Sequence, residues 1–242
     1  FWKPTQGFRL KTSSESPVGG GLGGSSSLTV TMMKAFGQWL GVRWKTVHEL
    51  VQICHNMEAQ VLMTPTGTQD YYPAVTGGLS LIKYSWQGIG QEVFSPPSVG
   101  FKDHLILVYT GRTHHSGLNN FEVLKGVVSK DQKIVNALRG LKDVSSQVEK
   151  LVREQRWKDL PGLLDQELEC RLQLTPAFTS PEIEKLRQLS KENGSAAFKI
   201  CGAGGGGCVV LWTEPSKHET VKKACQTHGF QVLQAAPVEP LP

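Results

Sequence analysis

Residues 17–28 of the chain read Pro-Val-Gly-Gly-Gly-Leu-Gly-Gly-Ser-Ser-Ser-Leu, and the chain runs from them straight into Thr29-Val-Thr-Met-Met-Lys-Ala-Phe-Gly-Gln-Trp-Leu40. The apolar residues Leu28, Met32, Met33, Phe36, Trp39 and Leu40 recur at helical spacing and predict an amphipathic helix with that stripe inward. A glycine loop opening directly into a helix aims backbone N–H groups and the positive end of the helix dipole at one point, which is a phosphate-binding arrangement. Glycine suits such a loop because a side chain would block the backbone's approach to an anion and close the φ/ψ values needed to wrap it. Ser25, Ser26 and Ser27 either satisfy N–H groups at the helix start or reach a metal ion. No Gly-Lys-Ser/Thr follows and the Gly-x-Gly-x-x-Gly spacing is absent, so neither a Walker loop nor a dinucleotide fingerprint is present. A flexible Gly/Ser linker is the competing reading, but linkers do not usually continue unbroken into an apolar-striped helix.

Two acidic residues follow within reach of this loop. Thr46-Val-His-Glu49 has the form of a capping box, and Val47, Leu50, Val51, Cys54 and Met57 mark the inner face of the helix it opens. Glu58 lies four residues beyond Cys54, at the margin of that face, where a carboxylate must be paired, hydrogen-bonded or metal-bound. Asp70 sits in a Thr/Gly/Pro loop. Near a phosphate loop, such a pair suits one group that holds Mg²⁺ and one that orients or deprotonates a hydroxyl. Taken singly, Glu58 reads as a flank ion pair and Asp70 as a turn former.

After the loop at 17–28 and the Thr/Gly/Pro block that ends at Gly77-Gly78, a third glycine cluster, Gly202-Ala-Gly-Gly-Gly-Gly207, separates two apolar strands, Lys199-Ile-Cys201 and Cys208-Val-Val-Leu-Trp212. That many glycines mark close approach of backbone to a ligand or another loop, and exceed what a plain hairpin turn uses. Cys201 and Cys208 flank this loop and read as small core residues.

These motifs, taken in order, resemble the GHMP small-molecule kinases. Pro17 to Ser27 are similar to the family's Pro-x-x-x-Gly-Leu-Gly-Ser-Ser-Ala motif, with Gly24 in place of its first serine and Ser27 in place of its alanine. Gly202 to Gly207 resemble its Gly-Ala-Gly-x-Gly-Gly loop. Thr66-Gly-Thr-Gln-Asp-Tyr-Tyr-Pro-Ala-Val-Thr-Gly-Gly78 and Val108-Tyr-Thr-Gly-Arg-Thr-His-His-Ser116 are most similar to the branch acting on D-glycero-D-manno-heptose 7-phosphate and related sugars.

The resemblance implies an α+β, two-domain fold. Residues 1–100 would form a shortened ribosomal protein S5 domain 2-like N-terminal domain carrying the phosphate loop, and residues 101–242 a ferredoxin-like C-terminal domain. It implies ATP and Mg²⁺ as cofactors and a sugar or sugar phosphate as acceptor. Pro17, Gly19, Gly20, Gly21, Leu22, Gly23, Gly24, Ser25 and Ser26 would cradle the phosphates, with Gly202, Gly204, Gly205 and Gly206 closing over them. Ser25 and Glu58 would ligate the metal, and Asp70 would face the acceptor hydroxyl. Arg112 and His115 would meet the sugar phosphate, although a solvated basic loop fits them equally. A mevalonate or phosphomevalonate kinase, and a non-catalytic nucleotide- or sugar-binding relative, are the alternatives. The family carries a longer segment ahead of the phosphate loop, so the chain reads as a fragment that needs an N-terminal partner chain or self-association.

Elsewhere the pattern predicts strands at Phe8–Ser14, Gly78–Tyr84 and Asp103–Tyr109, a long helix carrying Ile134, Leu138, Leu141, Val144, Val148, Leu151 and Val152, helices beginning at Ser180 and Ser216, and a poorly ordered tail from Ala235. Five cysteines without a C-x-x-C pair predict a reduced, cytoplasmic setting. The net charge of +5 is scattered, which predicts attraction for anionic small molecules and no nucleic-acid partner, and no run of 18 apolar residues points to a membrane.

Overall fold

Helix α1 (Gly24–Leu40) springs directly from the glycine loop in the computed structural model, which describes residues 7–63, 66–97, 101–113 and 116–241. Left-handed glycines bracket it, Gly23 at φ 67° and Gly41 at φ 69°. Its inward face is Ser26, Val30 and Gly37, with Met33 packed against the same core. The expected stripe is therefore corrected: Trp39 and Leu40 are exposed, and Phe36 and Trp39 instead meet the ring of Phe8 at 5.8 and 5.7 Å between centroids. Apolar residues flank both sides of this helix, so spacing alone does not select the buried line. Contact does, with the Trp44 indole so close to Gly37 that a Cβ there would lie 3.1 Å from Nε1. Residues 8–14, expected as a strand, have no strand partner among the described residues.

Helix α2 (Val47–Leu62) is capped by Thr46, whose hydroxyl accepts from the Glu49 N–H at 3.0 Å. The Glu49 carboxylate reaches back one residue further than in a standard capping box, accepting from Lys45 N–H at 2.6 Å. Leu50, Val51 and Cys54 are buried as expected, whereas Met57 is exposed. With Val30 they form a core closed by Tyr71, Tyr72 and Val75 of helix α3 (Tyr71–Thr76). Strands β1 (Leu79–Ser85) and β2 (Gly88–Phe94) follow as a hairpin, of which the sequence pattern marks only the first arm.

The remainder comprises α4 (Phe101–His104), β3 (Leu105–Tyr109), α5 (Ser116–Val128), α6 (Gln132–Glu154), α7 (Leu160–Leu172), α8 (Pro181–Glu192), β4 (Ser195–Ile200), β5 (Cys208–Thr213), α9 (Pro215–Thr227) and β6 (Gln231–Leu233). Strand β3 starts later than expected because Asp103 and His104 complete α4. The cap at Ser180 is made as expected, its hydroxyl accepting from Ile183 N–H, whereas α9 begins at Pro215 with no side-chain cap. The sheet runs β4-β5-β3-β6, antiparallel throughout. Counted along the chain, that is strand order 2-3-1-4 in a β-α-β-β-α-β path, the ferredoxin-like arrangement, with α5 to α8 filling the first crossover. Ile106, Val108, Ile183, Leu186, Leu211 and Val221 form its core. Among the described residues no helix is long and apolar enough to cross a membrane.

The tail is not loose. Gly78 N–H donates to Val238 O at 3.2 Å and Leu241 N–H to Thr76 O at 2.6 Å, and Gly77 bridges Pro240. Gly77 and Gly78, both at φ 63°, make the approach possible: a Cβ at Gly77 would lie 2.6 Å from Glu239 O. A second tie joins the β1–β2 hairpin to α6 through Lys83–Glu149 at 2.8 Å and Arg153–Glu92 at 2.6 Å. Exposed pairs of this kind contribute little stability singly, but a network of four charges orients the surfaces it joins.

Candidate active site

The glycine loop begins with a turn in which Gly20 N–H donates to Pro17 O at 2.9 Å. Gly19, Gly21 and Gly23 take φ of 67°, 72° and 67°, a region that L-residues enter at a cost. Among the described residues no side chain caps the start of α1, and the dipole of a 17-residue helix emerges there. Of the two roles open to the serines, the capping one is not taken up. Ser25 Oγ turns away from the amides and donates to Glu58 Oε1, while Ser26 is buried.

The third glycine loop links β4 and β5, which pair antiparallel up to Cys201 N–H donating to Cys208 O at 2.9 Å. Its two ends clasp the phosphate loop. Cys208 N–H donates to Gly20 O at 2.8 Å, a Cβ at Gly207 would lie 2.9 Å from that same carbonyl, and a Cβ at Gly21 would lie 2.9 Å from Cys201 O. The middle of the loop is held elsewhere. Gly205 N–H donates to Phe178 O at 2.9 Å, and a Cβ at Gly206 would sit 2.8 Å from Arg112 O. Thr110 Oγ1 donates to Gly207 O at 2.8 Å. Burial pushes the Cys208 thiol up to about 12 and raises that of Cys201, so both stay protonated; Cys208 is a core residue as expected, whereas Cys201 is only partly buried.

Glu58 and Asp70 converge on the start of α1. Besides Ser25, Glu58 accepts from Tyr71 OH at 2.6 Å and from Thr29 Oγ1 at 3.4 Å, both on Oε2. Asp70 lies immediately ahead of α3 and against the glycine loop: a Cβ at Gly23 would be 2.9 Å from Asp70 Cβ. This crowding strips water from the Asp70 carboxyl, although the residue keeps an open face to solvent, and the Glu58 charge adds to the effect, so its pKa is raised. Burial, then the bond to Glu58, carries the Tyr71 phenol up to about 12, leaving it a donor at neutral pH.

Ser25 Oγ and Glu58 Oε1 form an all-oxygen pair of the kind a hard cation takes. Among the described residues no group of three or more His, Cys, Asp or Glu could hold a metal. Mg²⁺ usually takes one or two protein oxygens and completes its shell with phosphate and water.

The sugar-side expectations fare differently. The Arg112 guanidinium is engaged by Glu182 of α8 at 3.1 Å, and its carbonyl accepts from Gly207 N–H at 2.7 Å, so the structure gives this residue a part in bracing the loop. His115 lies outside the described residues. Two members of the cluster are absent from the sequence-based set. Thr29 is one helical turn beyond Ser25 and legible from that spacing, whereas Tyr71, 13 residues from Glu58 in another helix, carries no local signal. Tyr71→Phe is expected to cost about 1–2 kcal/mol, since Glu58 loses a close donor in a part-buried setting, and to raise the Mg²⁺ needed for half-maximal turnover several-fold. Thermal melting and a Mg²⁺ titration of ADP release check this, and an unchanged Mg²⁺ curve would show the bond to be idle in function.

The model for the GHMP kinases N terminal domain matches residues 2–78, and that for the GHMP kinases C terminal region matches residues 148–231. The chain is 25% identical over 230 residues to a D-glycero-alpha-D-manno-heptose 7-phosphate kinase of Campylobacter jejuni, covering 93% of this chain and 66% of the relative. It is 25% identical over 232 residues to a mevalonate kinase of Thermococcus sibiricus, covering 93% and 65%. The crystal structure of a D-glycero-D-manno-heptose 1-phosphate kinase from Bacteroides thetaiotaomicron superposes with a TM-score of 0.70 at 18% identity, covering 93% of this chain and 62% of that one. The chain thus spans about two thirds of the length of these two relatives.

Proposed function

The chain belongs to the GHMP kinase family, and on that premise we propose that it takes part in ATP-dependent phosphorylation of a hydroxyl on a sugar or sugar phosphate. The observation that carries this is the convergence of Ser25, Glu58 and Asp70 at the uncapped start of α1, beside a loop clasped by the third glycine loop. Phosphoryl transfer asks little covalent chemistry of a protein, and depends on positioning and neutralisation of charge. In this reading the amides from Gly21 to Ser26 hold the phosphate oxygens. Ser25 and Glu58 would hold Mg²⁺, which offsets charge on the transferring phosphoryl group. Tyr71 and Thr29 orient the Glu58 carboxylate from its far oxygen. Asp70 orients the acceptor hydroxyl and accepts its proton, a task that its raised pKa suits.

Similarity to a heptose 7-phosphate kinase supports a sugar phosphate acceptor. The matched mevalonate kinase supports a second reading, with mevalonate as acceptor. A division into two domains near residue 100, and a cytoplasmic setting in keeping with five free cysteines, belong to the same proposal. Exposed Trp39 and Leu40 at the end of α1, and Met57 and Val61 on α2, support covering by a partner chain or a second copy. The test is an ADP-release assay on the full-length protein with Mg²⁺-ATP and heptose 7-phosphate, galactose or mevalonate as acceptor, with mass analysis of the product. Mevalonate phosphorylation alone would reverse the acceptor assignment, and failure with all three would count against the kinase reading.

A further inference from the structure

Arg171, near the end of α7, has only 13% of its side chain exposed and no part in the chemistry above. Its guanidinium faces the entry of the third glycine loop, donating from Nη1 to Ile200 O at 2.8 Å and from Nη2 to Gly202 O. Glu167, one turn earlier on α7, lies 3.5 Å from Nη1 and accepts from Lys199 Nζ at 2.7 Å, tying the arginine to β4. The guanidinium carbon also stands 4.8 Å from the centre of the Phe178 ring. Phe178 is itself a clamp: its carbonyl accepts from Gly205 N–H, and a Cβ at Gly204 would collide with that carbonyl.

A run of four glycines has no side chains to pack and loses more backbone freedom on ordering than any other sequence of its length. Its shape must come from bonds made to it from outside. An arginine fork spans two carbonyls at once, in a fixed plane, and can lie against an aromatic face at the same time. A lysine cannot do all three. The carbonyls of Ile200 and Gly202 flank Cys201, and it is Cys201 O and Gly202 N that press on Gly21 of the phosphate loop.

We propose that Arg171 is a positioning residue for the phosphate-binding loop, holding the entry of the third glycine loop so that its backbone seats Gly21, with Phe178 as the second clamp. The bracing stands on the geometry alone, and its consequence for phosphoryl transfer rests on the kinase reading above.

The test compares Arg171→Met, Arg171→Lys and Phe178→Leu in the full-length protein, by amide hydrogen exchange and by steady-state kinetics. Arg171→Met is expected to speed exchange in the peptide spanning residues 201–208 by about tenfold or more, with Leu160–Leu168 still protected. It is expected to lower kcat/KM for ATP by up to about 10²-fold, while KM for the acceptor stays within about threefold. Arg171→Lys should fall between, and Phe178→Leu should loosen the same peptide without touching the charge. Unchanged exchange in a folded Arg171→Met protein overturns the proposal. So does a rise spread evenly over α7 and the sheet, which would mark a merely structural residue. If Arg171→Met does not fold, Phe178→Leu and Arg171→Lys decide by the same readout. Should the wild-type protein phosphorylate no acceptor, the kinase reading falls while the exchange data still judge the brace.

Discussion

Asp70→Asn is expected to lower turnover by about 10²–10⁴-fold, the usual loss when a positioned base is removed, and at the same time to raise the melting temperature near neutral pH. The two effects share one cause. Crowding against the glycine loop and the charge of Glu58 raise the Asp70 pKa in the folded protein above its unfolded value. A carboxyl with a raised folded-state pKa binds its proton more tightly when folded, so its contribution is most favourable at low pH. It turns unfavourable as pH rises through the interval between the unfolded and folded values, and above that interval the folded state carries the full penalty of an ill-solvated anion. Asparagine keeps the shape and drops the charge, a stability–activity trade that functional sites commonly show. The wild-type rate should likewise fall as pH drops through the raised Asp70 pKa, on a limb displaced upward from that of an ordinary aspartate. Coupled ADP assay and thermal melting across pH check both halves. Full turnover in the variant would falsify the assignment of Asp70 as base, and a lowered melting temperature would show that its charge is compensated in the fold.

Gly23→Ala is expected to be nearly as damaging, through geometry. The residue sits at φ 67°, which costs an L-residue about 1–2 kcal/mol, and its new methyl would lie 2.9 Å from Asp70 Cβ and 3.1 Å from Asp70 Cγ. Either the loop or the aspartate must move. A displacement near 1 Å at a reacting centre costs about 10²-fold in rate, so turnover should drop on that order while the protein still folds. Gly24→Ala is the matched control. Gly24 is the first residue of α1, and only the movable Ser16 hydroxyl stands within 3.3 Å of its Cβ position. Equal damage from both substitutions, in parallel melts and assays, would mean that the loop tolerates no side chain anywhere and that the Gly23–Asp70 contact is not special.

Much of this site was legible in order along the chain. The run from Pro17 to Leu28 announces a loop that opens a helix, because only glycine enters the left-handed region freely and hydroxyls seek the helix start. Glu58 was legible as a carboxylate on the margin of an apolar face, and it is satisfied there by Ser25, Thr29 and Tyr71. The caps at Thr46 and Ser180 and the long helix α6 follow from rules that act within four residues, and they are made in the structure. The hairpin arm β2, with Gly88 and Gly90 in seven residues, lacked a clean alternation to mark it.

By itself, then, the sequence determined the local grammar of this protein: where helices start, which loops are free of side chains, and which carboxylates needed a partner. Tertiary structure alone decided which face of α1 is buried, because Trp39 and Leu40 are apolar yet lie away from α2 and α3. It alone brought Tyr71 to Glu58, gave Arg112 to Glu182, set Arg171 beneath the third glycine loop, and folded the tail back onto Gly77 and Gly78. Each of these is a contact between residues distant in the chain. Their partners satisfy hydrogen bonds and packing that exist only once distant segments have met, and no spacing along one segment encodes a bond to another.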